Sequence, residues 1–342
     1  MDGIDAALLK SDGNGVVTPG PFASFPYDPD FRARLRRLLG GGHPVEGVER
    51  ELTLLHGDAV DALLSRNDID RAQVALVGFH GQTILHAPAE RRTWQIGDGA
   101  LLARRLGLDV VADFRSRDVA EGGEGAPLAP LYHEALAADL ERPLAVLNLG
   151  GVANVTWIGE EDDDILAFDT GPGNAPLDDW MLRHTGEPYD RDGALAAQGQ
   201  ADEAAVAQLM ADPYFARLPP KSLDRDAFDV ASLAGLPTAD GAATLTAFTV
   251  AAVAAARAHF PTRALYWLVT GGGRHNRTLM ALLAARLTAP VAPVEDHGWN
   301  GDALEAQAFA YLAIRSVLGL PLTLPTTTGV PAPTTGGVLH RA

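Results

Sequence analysis

The sequence contains no cysteine, so it has neither a disulfide framework nor a thiolate metal site. Positive charge is scarce, because 27 Lys and Arg stand against 44 Asp and Glu and the net charge is -17. A nucleic-acid-binding protein would need a basic face, so this class is excluded. We find no signal peptide and no apolar run long enough to span a bilayer. These absences predict a soluble cytoplasmic protein with no nucleic-acid or membrane partner.

The length and the alternation of patterns indicate the fold class. A chain of 342 residues predicts two compact domains or lobes. Short apolar runs alternate with helical apolar patterns, which favours an α/β fold. The pattern predicts strands at 4–9, 74–77 and 109–112, a hairpin turn at 13–15, and helices at 28–64 (broken at 40–42), 101–106, 127–140, 242–259 and 304–318. The segment after Gly319 is predicted to be a loop or extended tail, and residues 162–164 a solvated hairpin tip.

Three glycine-rich turns that follow apolar runs are the strongest functional signal. The run at 165–168 leads into Asp169 and Gly171, the run at 146–149 into Gly150 and Gly151, and the run at 265–269 into residues 271–273. Backbone N–H groups in such turns take phosphate oxygens, and a carboxylate beside them holds a hydrated cation. Three turns in one chain predict a nucleotide site assembled from several strand ends.

The motifs, in their order along nearly the whole chain, resemble those of the anhydro-N-acetylmuramic acid kinase family. The matching segments are Met1-Asp2-Gly3-Ile4-Asp5-Ala6-Ala7-Leu8, His80-Gly81-Gln82-Thr83, Gln95-Ile96-Gly97-Asp98, Ala112-Asp113-Phe114-Arg115, Gly125-Ala126-Pro127, Asn148-Leu149-Gly150-Gly151-Val152-Ala153-Asn154, the Asp169 turn, Pro219-Pro220-Lys221-Ser222, Glu305-Ala306 and Phe309-Ala310.

The resemblance implies a two-lobed, actin-like (ribonuclease H-like) sugar-kinase fold with ATP in a central cleft. We expect a first lobe at 1–133, a second lobe at 134–317, and a C-terminal segment at 318–342 that is assigned to neither lobe. The implied enzyme is an ATP-dependent kinase that phosphorylates O6 of 1,6-anhydro-N-acetylmuramic acid while water opens the anhydro bridge at C1. The product, N-acetylmuramic acid 6-phosphate, belongs to peptidoglycan recycling. The one partner chain considered is a second copy, in a homodimer.

The sequence departs from the family pattern in three places. Family members usually have a strand and a Gly-Thr-Ser turn before the segment that starts here at Met1. We therefore expect that a central strand and part of the phosphate cradle are lacking. Glu124 stands where Gln is expected, and Ala175-Pro176 replaces larger apolar residues.

The resemblance also assigns roles in phosphoryl transfer, which depends mostly on positioning and charge neutralisation. Asp178 is the base that takes a proton from water, and only one of Asp178 and Asp179 should face the site, because adjacent helical residues point about 100° apart. Asp169 and Asp2 are expected to bind Mg²⁺ through water. The predicted ATP contacts are Asp2, Gly3, Asp5, Gly150, Gly151, Asp169, Gly171, Gly271, Gly272 and Gly273. The alternatives are a turn cap for Asp169 and a favourable helix-start acid for Asp178 or Asp179.

Three further residues are predicted to bind the sugar. Arg115 would hold the lactyl carboxylate by a bidentate contact, with Arg104 and Arg117 as competitors. Glu305 begins an otherwise apolar helix, where a buried carboxylate needs a partner such as a sugar hydroxyl; a contact with the helix dipole is the alternative. His80 would bind substrate, although a histidine at a strand end is often structural.

Two other functions stay open from the sequence. One is a sugar or acid kinase of the same fold that transfers phosphate without opening a ring. The other is a non-catalytic nucleotide-binding protein, which the absent phosphate turn favours.

Overall fold

The computed structural model describes residues 3–162 and 164–342 and divides the chain into two compact units. Unit 1 consists of Met1–Asp139 and Ala303–Ala342, and unit 2 of Leu140–Asp302. This division corrects the predicted boundaries. The helix Leu304–Leu318 was predicted to belong to the second lobe, but it packs on strands of unit 1. The C-terminal segment therefore also belongs to unit 1. Asp2, a predicted ATP and metal contact, lies outside the described residues.

Unit 1 contains seven strands and seven helices in its described part. They are β1 Gly3–Ser11, β2 Val17–Pro26, α1 Pro29–Arg36, α2 Glu46–Arg66, β3 Val77–Phe79, β4 Gln82–Ala87, β5 Arg92–Ile96, α3 Gly99–Leu106, β6 Val110–Ala112, α4 Ser116–Ala120, α5 Pro130–Leu136 and, after unit 2, α10 Leu304–Leu318, α11 Pro325–Thr328 and β12 Val338–His340.

Local sequence explains several of these elements. The turn between β1 and β2 forms because the Asp12 carboxylate accepts from the amides of Asn14 and Val16. Helix α3 begins where Asp98 caps the amide of Leu101, and it ends at Gly107 in the left-handed region. The predicted hairpin and both helices α3 and α10 are confirmed, whereas α5 is shorter than predicted.

Three small sheets form unit 1. Strands β1 and β2 are antiparallel, β4 and β5 form a second antiparallel pair, and the third sheet has the order β12-β6-β3. Strand β3 lies parallel to β6, and β12 pairs antiparallel with β6, so part of the predicted tail is a strand. Helix α10 contacts β1, β3 and β6. The ends of β3 and β6 therefore bring the segments after residues 79 and 112 to one edge.

Unit 2 is built on one five-stranded mixed sheet. Its elements are β7 Leu144–Leu149, β8 Val152–Ile158, β9 Ile165–Pro172, α6 Ala175–Thr185, α7 Glu203–Met210, α8 Thr238–Ala256, β10 Trp267–Thr270, α9 Arg277–Leu287 and β11 Val291–Pro293. The strand order is β11-β10-β7-β8-β9, with β10 parallel to β7 and β8 antiparallel to both of its neighbours. The core between sheet and helices includes Trp157, Phe168, Trp267 and Leu283. Both units are α/β, which confirms the predicted fold class.

Helix α8 corrects the expectation that no apolar run in the sequence is long enough to span a bilayer. Among the described residues, the stretch Thr238–His259 is long and apolar enough to cross a membrane by length and composition alone. However, 72% of its apolar window is buried, and α8 contacts α6, α7, α9 and β9. We therefore assign it as the core helix of unit 2.

Candidate functional site

The predicted glycine turns of unit 2 meet at one end of its sheet. Strands β7 and β10 are parallel neighbours, so their carboxyl ends lie side by side. The carbonyl oxygen of Gly150 accepts from the amide of Asn174 at 2.7 Å, and that of Gly151 accepts from Gly173 at 3.0 Å. The Asn174 side chain donates to the Leu149 carbonyl at 2.8 Å. These contacts join the β7–β8 turn to the β9–α6 turn.

The turn after β10 packs against the same place. Gly271 has φ +77°, and a Cβ at this position would lie 2.7 Å from the Leu149 carbonyl. Arg274 is buried and donates to the Gly271 carbonyl at 2.9 Å, while its guanidinium also bonds Glu295 and Asp302. The sequence reasoning missed Arg274, whose two acidic partners lie more than 20 residues away. Gly150 and Gly151 connect the two antiparallel strands β7 and β8.

Asp169 lies within β9 and is largely buried. Its Oδ2 accepts from the amide of Leu223 at 2.8 Å, and its own amide donates to the Lys221 carbonyl at 2.9 Å. The hydroxyl of Tyr214 donates to the Asp169 carbonyl. Lys221 is buried above the Tyr214 ring, and burial lowers the pKa of its ammonium to about 8. The Pro219-Pro220-Lys221-Ser222 motif therefore fixes Asp169, a role that its sequence alone did not indicate.

A divalent cation at these turns would need oxygen donors from side chains. Within residues 3–162 and 164–342, no group of three or more His, Asp and Glu side chains could hold a metal ion. Mg²⁺ keeps several waters and needs only one or two carboxylates when substrate phosphates complete its shell. Asp169, an oriented carboxylate beside the glycine turns, fits that requirement.

Asp178 and Asp179 have different environments in the first turns of α6. Asp179 forms an ion pair with Arg225 at 2.6 Å. The half-buried Asp178 side chain has no hydrogen-bond or ion-pair partner in the described part of the chain. Burial raises the pKa of Asp178 to about 6, with Arg225 opposing and Asp179 adding to the shift. A carboxylate that is ionised at pH 7 and yet basic suits proton abstraction from water.

This charge arrangement predicts how Arg225 controls Asp178. A base works only when ionised, so activity falls as the pH drops through its pKa. Arg225→Gln should raise the pKa of Asp178 and move the acid limb of the pH–rate profile upward by a few tenths of a pH unit, a small shift because Arg225 is half exposed. Asp179→Asn should move the limb downward. Arg183→Gln, on the exposed side of α6, is the matched control, and equal acid limbs in all variants would contradict the assignment.

The remaining predicted residues line one cavity of unit 1, of about 700 Å³. Its polar lining includes Asp5, His80, Arg115 and Glu305, and Gly3 also borders it. The walls include apolar residues of α2, β1 and β3. The three predicted sugar contacts, His80, Arg115 and Glu305, therefore lie around one cavity. Gly3 and Asp5, which were predicted to contact ATP, lie around the same cavity.

His80 and Arg115 form a fixed pair in this cavity. Arg115 Nε donates to His80 Nε2 at 2.8 Å, and Arg115 Nη1 donates to the Gly125 carbonyl at 2.6 Å. Burial and the neighbouring Arg115 hold the pKa of His80 well below its usual range. The imidazole is therefore neutral, with its proton on Nδ1, from which it donates to the Gly81 carbonyl at 3.0 Å. His80 orients the guanidinium of Arg115.

Glu305 corrects a prediction. It begins α10 as expected, but its side chain is exposed, because α10 turns Leu304, Ala308 and Phe309 inward instead. The argument from a buried carboxylate in need of a partner is therefore wrong. Glu305 nevertheless borders the cavity, so its contact with a sugar hydroxyl stays a prediction.

Comparisons with known proteins agree with one another. A family model described as anhydro-N-acetylmuramic acid kinase matches residues 1–342. A protein of that name from Paramagnetospirillum magneticum is 59% identical over 343 residues, which cover 99% of this chain and 96% of that protein. Proteins of the same name from Rhodospirillum rubrum and Acidiphilium cryptum are 56% and 54% identical; the matches cover all of this chain and 92% and 95% of theirs.

Proposed function

The chain belongs to the anhydro-N-acetylmuramic acid kinase family, and from that premise we propose its reaction and the roles of its residues. It is an ATP-dependent kinase. Its proposed substrates are 1,6-anhydro-N-acetylmuramic acid, ATP and water, and its products are N-acetylmuramic acid 6-phosphate and ADP. We propose that it works in the cytoplasm, in the recycling of cell-wall sugars.

The observation that carries the hydrolytic half of this proposal is the environment of Asp178. A water proton passes to Asp178 while the water oxygen bonds to C1 of the sugar. The C1–O6 bond breaks, and O6 bonds to the γ-phosphorus of ATP as ADP leaves. A kinase that only transfers phosphate needs its base at a hydroxyl. Burial that raises the pKa of Asp178 to about 6 gives it the basicity to activate water near neutral pH.

The phosphates of ATP are assigned to the joined glycine turns of unit 2. Their backbone N–H groups suit phosphate oxygens, and Asp169 would hold the hydrated Mg²⁺. When bound, Mg²⁺ neutralises charge that develops on the transferred phosphoryl group. The amide of Leu223 donates to the Asp169 carboxylate, and the bond from the Asp169 amide to the Lys221 carbonyl fixes the backbone beside it.

The sugar is assigned to the polar side chains of the unit 1 cavity. Arg115, oriented by neutral His80, suits the lactyl carboxylate, since a guanidinium matches a carboxylate with two parallel hydrogen bonds. Glu305 on the rim is suited to accept from a sugar hydroxyl.

The test is the fate of solvent oxygen. In water labelled with ¹⁸O, we expect one label at C1 of the product and unlabelled oxygen at C6 bearing the phosphate. Mass spectrometry of fragments locates both atoms. A phosphorylated product with an intact anhydro bridge would instead support a kinase without hydrolysis, and ATP binding without any product would support a non-catalytic protein.

A further inference from the structure

Asp118 is a buried carboxylate that the proposed mechanism does not use. It lies in α4, three residues after Arg115, and is only 2% exposed. Burial of a carboxylate is costly unless its oxygens accept hydrogen bonds, and here both oxygens do. Oδ1 accepts from the amide of Gly125 at 2.7 Å, and Oδ2 accepts from the hydroxyl of Thr328 at 2.6 Å. Asp118 therefore ties the loop after α4 to the C-terminal segment of unit 1.

The glycine-rich loop after α4 is shaped around this carboxylate. Gly125 has φ +68°, in the left-handed region that favours glycine, and a Cβ on Gly123 would lie 2.1 Å from Asp118 Oδ1. The amide of Gly123 donates to the Asp118 carbonyl at 2.8 Å, and the amide of Glu124 donates to the Thr328 carbonyl at 2.6 Å. Asp118 and the C-terminal segment thus hold the loop in one conformation.

This loop supplies one of the acceptors that orient Arg115. The Gly125 carbonyl accepts from Arg115 Nη1 at 2.6 Å, while His80 Nε2 accepts from Arg115 Nε at 2.8 Å. A bidentate contact with a carboxylate depends on the plane of the guanidinium, so a guanidinium that is fixed beforehand binds with less loss of freedom. Gly125 therefore couples the two side chains, because its N–H is held by Asp118 and its carbonyl holds Arg115.

We propose that Asp118, held in turn by Thr328, is a positioning residue that fixes Arg115 for the lactyl carboxylate of the sugar. The same network then favours muramyl over glucosaminyl anhydrosugars, since only the muramyl sugar carries that carboxylate. This inference rests on the proposed function, because it takes Arg115 as the contact for the carboxylate. It also gives the C-terminal segment, which was predicted to be a loop or tail, a part in substrate specificity.

The test removes the Thr328 hydroxyl in the full chain. Valine has a similar shape but no donor, so Thr328→Val takes the hydrogen bond from a buried Asp118 oxygen and loosens the loop. The calorimetric affinity for 1,6-anhydro-N-acetylmuramic acid should fall about 5-fold and its KM should rise by the same factor, while kcat and the KM for ATP stay within about 2-fold. Thr328→Ser keeps the hydroxyl and should restore the wild-type values.

Thr323→Val is the matched control for the loss of a buried hydroxyl. Thr323 lies in the same C-terminal segment and is equally buried, but its hydroxyl has no hydrogen-bond partner in the described part of the chain. The substitution should therefore change neither the affinity for the sugar nor its KM. An unchanged affinity for the muramyl sugar in a folded Thr328→Val protein would overturn the inference.

A ligand without the lactyl group separates positioning from a general loss of structure. 1,6-Anhydro-N-acetylglucosamine offers no carboxylate to Arg115, so Thr328→Val should leave the inhibition constant of this sugar unchanged. In an Arg115→Ala background, Thr328→Val should not weaken the muramyl sugar further, because residues that act as one unit are not additive. Equal losses for both sugars, or a loss that persists without Arg115, would show a merely structural role and overturn the inference.

Asp118→Ala removes both bonds at once. It should reduce the affinity for the muramyl sugar at least as much as Thr328→Val does, and it should also lower the melting temperature, so the Thr328 variants decide if it does not fold. Folded Asp118→Ala protein with wild-type affinity for the muramyl sugar would overturn the inference.

Failure of the proposed function gives different results. If Arg115→Ala binds the muramyl sugar as wild type does, the proposed contact of Arg115 is wrong and the role of Asp118 is overturned with it. Wild-type protein that binds the sugar without forming product would contradict the proposed reaction instead, and the calorimetric affinities of the Thr328 variants would still decide on Asp118.

Discussion

The Asp178→Asn variant should lose at least about 100-fold in kcat at pH 7 and bind ATP normally. The Asp178 carboxylate is ionised at that pH, because its pKa is about 6, and it can accept a proton from water. The asparagine amide has a similar shape but cannot take up the proton. The measurements are initial rates with both substrates saturating and calorimetric titration with Mg-ATP.

Thermal melts show whether Asp178→Asn loses activity because the base is missing or because the protein unfolds. Burial raises the pKa of Asp178, so the folded protein disfavours the ionised carboxylate, and stability is lost as the pH rises from about 4 through 6. The neutral amide avoids this cost, and Asp178→Asn should melt no lower than wild type at pH 7. Asp179→Asn, the control, should keep most of its turnover. A folded Asp178→Asn protein with near-normal turnover would show that another group activates the water.

Helical geometry predicted that one of the two adjacent acids would face the site, but it did not show which environment each would have. Asp179 is paired with Arg225, which is 46 residues further along the chain. That contact depends on how the segment after Lys221 returns to α6, and no local pattern encodes it. The family motif selected Asp178, and the observed charges explain why that carboxylate is the basic one.

Local sequence patterns likewise predicted individual helices and strands but not how these elements pack together. Helix α3 was predictable because Asp98 and Gly107 cap it locally. The pairing of β10 with β7 joins segments about 120 residues apart, so apolar runs alone could not reveal it. Glu305 was misjudged for the same reason: the buried face of α10 is set by its packing on β1 and β3. Family membership was recognisable because many short motifs kept their order.

The Gly271→Ala variant should lose about 3 kcal/mol of unfolding free energy, which for a chain of this length corresponds to about 4 °C in melting temperature. Gly271 has φ 77° and ψ 170°, a backbone conformation that is almost confined to glycine. An added Cβ would lie 2.4 Å from Asn148 Oδ1 and 2.7 Å from the Leu149 backbone. Because the β10 turn packs on the end of β7, relief of this clash should displace Gly150 and Gly151 as well. The KM for ATP should therefore rise at least about 10-fold, while the ATP-independent affinity for the sugar stays unchanged.

Neighbouring glycines provide the controls for this prediction. Gly272→Ala should melt like wild type, because its backbone is not left-handed and the nearest atom to an added Cβ is 4.0 Å away. Gly235→Ala, with open space around it and a position outside the site, should change neither the melting temperature nor the KM for ATP. If Gly271→Ala is destabilised but binds ATP as wild type does, the turn after β10 is only structural. The nucleotide would then have to be held by the β7–β8 and β9–α6 turns alone, and the assignment of residues 271–273 to ATP would be wrong.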